Sequence, residues 1–92
     1  LWSPRLRPDP DVVARRIHDA LVLVHLRTDG IYEMNSTAAR VWELLSESCD
    51  DAQIRARLLE EFEVAPEVLE REIAQALAVF REAQLVTEDP RA

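Results

Sequence analysis

The stretch TDGIYEMNSTAARVWELL, Thr28 to Leu45, decides how this chain is built. Asp29-Gly30 predicts a two-residue hairpin loop, because Gly accepts positive φ without a Cβ penalty and Asp tolerates it. With those two residues as the loop, Thr28 opposes Ile31, Arg27 opposes Tyr32, Leu26 opposes Glu33 and His25 opposes Met34. Asn35, Ser36 and Thr37 are all good helix caps, so the strand GIYEM ends at Met34. AARVWELLSE follows as a helix with Ala38, Val41, Trp42 and Leu45 on one stripe.

Upstream, ALVLVHL (Ala20 to Leu26) is nearly continuous apolar sequence, which suits a central strand covered on both faces. VVARRI (12–17) is short and β-branched and predicts a first strand. Before it, LWSPRLRPDPD carries three prolines in its first ten residues. That favours an extended arm over residues 1–11, with Trp2 and Leu6 as anchors. Downstream, Asp50-Asp51 opens a second helix with acids where the helix dipole favours them, and Ile54, Leu58 and Phe62 recur every fourth residue. Pro66 starts a third helix running to about Gln84. Leu85 and Val86 close a domain spanning 12–87, and the final residues, 88–92, read as a flexible tail.

The fold class is therefore α+β and winged helix-turn-helix-like: a three-stranded antiparallel sheet followed by three helices. The usual wing follows its helices; here the sheet precedes them.

The third helix has more apolar surface than one core needs. Leu69, Ile73, Ala76, Leu77 and Phe80 share a stripe, and Val79, Ala83 and Val68 extend it to one side, interrupted by Glu72. In a three-strand meander the third strand is an edge, so the chain offers an unpaired strand beside a wide apolar helix face. That is the geometry of β-augmentation, in which an added peptide bonds to the edge and seats alternate side chains in pockets.

Bulk chemistry narrows the alternatives. The chain has 92 residues, 48% hydrophobic and 32% charged, which fits one small domain. Every base is Arg, and the formal charge is −7. Residues 33–92 carry six Arg against fourteen acids. The would-be recognition helix bears Glu67, Glu70, Glu72 and Glu82 against Arg71 and Arg81, which opposes phosphate contact and a DNA-binding role. One cysteine, Cys49, and two separated histidines offer no metal spacing and no nucleophile with a base, so the expectations are no cofactor, no metal and no catalysis. His25 reads as a partly buried sheet residue. No apolar run approaches the roughly 20 residues that span a bilayer, and no signal segment opens the chain; cytoplasmic is the default. The first residue is Leu, as expected of a trimmed start. A homodimer pairing through the open edge is the remaining alternative.

LRTDGIYEMNSTAARVWELL together with PEVLEREIAQALAVFREAQLV resembles the PqqD-like family, the recognition elements that bind precursor leader peptides in ribosomal natural-product pathways. The resemblance covers about residues 6–87. As a free-standing domain it looks most like the leader-binding protein of lasso-peptide clusters. The resemblance implies a monomer that binds a precursor leader, with a separate cysteine-type leader protease and an ATP-dependent macrolactam synthetase as partners. It further implies a leader antiparallel to the third strand, against Ile31, Tyr32, Glu33 and Met34 and against Leu69, Glu72, Ile73, Ala76, Val79 and Phe80 of the third helix. The family often has Gly where this chain has Ala38 and Gln84, positions expected to lie away from the groove.

Overall fold

The computed structural model describes residues 5–89; the expected anchor Trp2 lies outside them. The elements in chain order are β1 (Arg5–Pro8), β2 (Val12–Ile17), β3 (Ala20–His25), β4 (Gly30–Met34), α1 (Ser36–Ser46), α2 (Asp51–Glu61), α3 (Pro66–Glu82) and β5 (Val86–Asp89). The architecture is α+β with three helices and two antiparallel sheets. One sheet has the order β2-β3-β4; the other is the pair β1-β5.

That second sheet is the main departure from the expected three strands, three helices, extended arm and frayed tail. Arg7 opposes Thr87 and Pro8 opposes Val86. A strand of four residues that ends in Pro has almost no propensity signal of its own, and it forms here because its partner is fixed by the end of α3. Leu6 is buried in the core, as its anchoring role required.

The hairpin register also differs. His25 opposes Gly30, Val24 opposes Ile31, Leu23 opposes Tyr32, Val22 opposes Glu33 and Leu21 opposes Met34. The loop has four residues, Leu26 to Asp29, closed by an Asp29 N–H to His25 carbonyl bond of 2.8 Å. Asp29, not Gly30, takes the positive φ, at 63°. Gly30 serves another purpose. A Cβ there would fall 2.6 Å from Cε2 and 2.7 Å from Cζ of Tyr32, whose ring lies across it. Because the register moved by an even number of residues, each side chain keeps its expected face.

Those faces are unequal. Leu21, Leu23 and His25 of β3 are buried against the helices, with Met34 beside them. Val22 and Val24, on the other face, are only half-buried, so β3 is not covered on both sides. Cross-strand pairing aligns Val13, Val24 and Ile31 in one row of this outer face, and Arg15, Val22 and Glu33 in the next.

The helices form where their caps say. Asn35 caps α1 by accepting from the Ala38 N–H, and Asp50 caps α2 in a capping box with Gln53. Val41, Trp42, Leu44 and Leu45 of α1 pack with Ile54 and Leu58 of α2 and with Leu69, Ile73 and Phe80 of α3. Phe62, at the C-cap of α2, is half-buried. Trp42 and Phe80 meet edge to face, centroids 5.4 Å apart. Full burial of each such side chain contributes about 1.5–3 kcal/mol. Arg40 clamps Glu61 with two bonds of 2.7 and 2.9 Å, joining α1 to α2, and Arg55 reaches Glu70 at 2.8 Å, joining α2 to α3. Arg16 pairs with Glu43, tying β2 to α1.

Candidate functional site

Sheet order leaves β4 an edge, and α3 lies across a gap from it. Between them lies a groove with two adjoining parts of about 280 Å³ each. The first is lined by Met34 and Glu33 of β4, by Asn35 and Ala38 at the start of α1, and by Glu72, Gln75, Ala76, Val79 and Phe80 of α3. The second is lined by Tyr32, Val79, Glu82 and Ala83. Val79 borders both, so the two parts lie side by side against α3.

Local sequence explains this shape. Tyr32 and Met34 are two residues apart on a strand, so both face the helix side. Val79 is 43% exposed although it belongs to the helix's apolar arc, and Val68 is 37% exposed. The surplus apolar stripe of α3 is therefore uncovered among the described residues. Ala76 supplies a floor without filling the space. Glu72 is fixed by the Thr37 hydroxyl, which donates to its carboxylate at 2.8 Å and pins α3 to the first turn of α1.

Of the residues expected from sequence, Tyr32, Glu33, Met34, Glu72, Ala76, Val79 and Phe80 come together around the groove. Leu69 and Ile73 do not line it; they point into the core, 2% and 1% exposed. Ile31 is 71% exposed on the outer face of the sheet. Missed in the sequence were Asn35, whose capping role hid its second position; Gln75 and Glu82, which lie off the apolar stripe; and Ala83. Ala83 continued the same arc past Val79 and was legible there. Ala38 was expected away from the groove, yet it lines the first part, because α1 begins directly after β4 ends.

A polar knot ties β3 to the chain just past the end of α3. His25, fully buried, uses Nε2–H to donate to the Gln84 carbonyl at 3.0 Å, while Nδ1 accepts from the Arg27 N–H at 3.3 Å. A neutral ring with its proton on Nε2 satisfies both partners. Arg27 also bonds the carboxylates of Asp9 at 3.2 Å and Asp11 at 2.7 Å, and the Asp11 N–H donates to Asp9 at 2.8 Å. This amide and the Arg27 guanidinium hold Asp9 below its ordinary value of 3.8. No group of three or more His, Cys, Asp or Glu among the described residues is placed to hold a metal ion.

An open strand edge facing a helix across a channel, on a sheet that precedes three helices, is the architecture of a PqqD-like domain. The family model for coenzyme PQQ synthesis protein D (PqqD) matches residues 20–86, and the chain belongs to that family. The fold is similar to that of TbiB1, solved in complex with the TbiA(beta) leader peptide: 26% identity, TM-score 0.78, covering 87% of this chain and 93% of that one. It is also similar to a lasso peptide synthetase B1 complexed with the leader peptide, at 24% identity and TM-score 0.79, covering 90% and 98%. No protein of curated function matches the sequence. No helix among the described residues is long and apolar enough to cross a membrane.

Proposed function

We propose that this protein captures the leader segment of a ribosomally made precursor peptide by adding it as a strand to β4, in the groove against α3. The leader lies antiparallel to Ile31, Tyr32, Glu33 and Met34. Its alternate side chains enter the two parts of the groove, and main-chain bonds to the strand edge supply the rest of the affinity. The protein performs no chemistry itself; it presents the bound precursor to a separate cysteine-type leader protease and an ATP-dependent macrolactam synthetase, as in lasso-peptide assembly. In this reading the three-stranded sheet takes the place of the wing in a winged helix-turn-helix.

The observation that carries the reading is the exposed flank of α3, with Val79 43% exposed directly across the channel from an unpaired β4 edge. An apolar helix flank and an unpaired edge side by side are each costly in water, and one extended peptide satisfies both. Support comes also from the two similar structures, each of which was solved with a leader peptide.

Genomic context and direct titration test it. A short precursor reading frame is sought beside the gene, and its peptide is titrated with the wild-type chain, with Val79→Glu and with Ala76→Glu, reading affinity by fluorescence anisotropy. Val79 is already exposed, so its Glu variant folds, and it is expected to lose at least tenfold in affinity, about 1.4 kcal/mol. Wild-type affinity in both variants contradicts the groove assignment.

A further inference from the structure

The groove's charge and the strand register together specify more than an apolar ligand. Tyr32 and Met34 face the channel two residues apart, about 7 Å along the strand. An antiparallel peptide therefore seats one side chain beside each, and those two are also two residues apart. The peptide residue between them points the other way and falls opposite Glu33, on the outer face of the sheet.

Glu33 is exposed and has no hydrogen-bond or ion-pair partner among the described residues. On its inner side the cross-strand neighbour is Val22, which offers no charge. Arg15 follows in the same row but one strand further, about 10 Å from Glu33 by strand spacing. The remaining side is the open edge. Around the rest of the channel the other charged lining residues are also acids, Glu72 and Glu82. Arg71 and Arg81 sit on α3 but line neither part of the groove.

Resting on the strand-addition reading, we propose that the peptide taken by this groove carries Lys or Arg between its two pocket-filling apolar residues, and that Glu33 selects for it. Opposite charges directly across an antiparallel pair attract, and a carboxylate at that position is repelled. The apolar pair provides burial and the cation fixes register. A slip of one residue takes the cation away from Glu33 and puts an apolar side chain beside it.

A displayed library of random short peptides, selected on the full chain and on Glu33→Arg, tests this. Wild-type selections are expected to yield an apolar pair at two-residue spacing with Lys or Arg between, and the Glu33→Arg selection to replace that cation with Asp or Glu. Synthesised singly, a selected peptide with its central Lys changed to Glu is expected to bind wild type about two- to tenfold more weakly and to recover on Glu33→Arg. An apolar pair at that spacing with a central position indifferent to charge on both proteins overturns the inference and leaves the groove reading standing. Selected peptides that lack the apolar pair, or that bind Val79→Glu as well as wild type, overturn the groove reading and the inference with it.

Discussion

Ser48 and Gln84 occupy the left-handed region, at φ 67° and 59°, just past the ends of α1 and α3. Each closes its helix in a Schellman arrangement: Cys49 N–H bonds the Leu44 carbonyl and Ser48 N–H that of Leu45, while Leu85 N–H bonds Phe80 and Gln84 N–H bonds Arg81. A side chain in that conformation carries strain that Gly avoids. Ser48→Gly and Gln84→Gly are each expected to stabilise the fold by about 1 kcal/mol, read as a higher urea midpoint at unchanged slope. Gly30, in contrast, is needed for the room it leaves to the Tyr32 ring. Gly30→Ala is expected to swing that ring towards the second part of the groove and weaken peptide binding more than stability. At this scale caps were legible in the sequence, since Asn35 and Asp50 act through their own side chains on nearby amides. The four-residue loop, with positive φ at Asp29 and not at Gly30, was not, because the turn type depends on loop length, which the neighbouring strands settle.

Among the elements, α3 has two jobs, and two of its residues share them. Leu69 and Ile73 hold the core, Val79 and Ala83 shape the channel, and Ala76 and Phe80 belong to the core and also line the groove. Phe80→Ala removes a fully buried ring in contact with Trp42 and is expected to cost about 3–5 kcal/mol in urea unfolding. Val79→Glu is expected to leave unfolding within about 0.5 kcal/mol of wild type while it weakens binding. The helical period revealed that α3 was over-wide, and the hairpin placed β4 at an edge; those two readings identified the groove. They did not separate core from groove within α3, because the periodicity gives an angle about the helix axis and not the position of α1, which covers Leu69 and Ile73. The pairing of β1 with β5 was hidden for a related reason. Neither strand has a strong propensity alone, and the contact joins the two ends of the chain.

Across the whole molecule, the Asp9, Arg27, Asp11 and His25 knot joins the two sheets, with the Asp9 N–H bonded to the Leu85 carbonyl at 2.9 Å beside it. Because Asp9 titrates lower in the fold than its ordinary 3.8, the anion stabilises the native state. That contribution is fully present above the ordinary value and is lost as pH falls through the folded one. Glu61, held low by the hydrogen bond from Arg40, stabilises in the same direction. Stability should therefore fall on acidification below about pH 4, and Asp9→Asn should be less stable at neutral pH and lose less on acidification. Urea unfolding of both proteins across that range measures it. The central claim concerns the β4 edge, and backbone amide exchange with and without the precursor leader tests it most directly. New protection on residues 31–34 and along the Ala76–Ala83 flank of α3 is the predicted result; protection confined to α2 or to the β2 edge, with residues 31–34 unchanged, would contradict it.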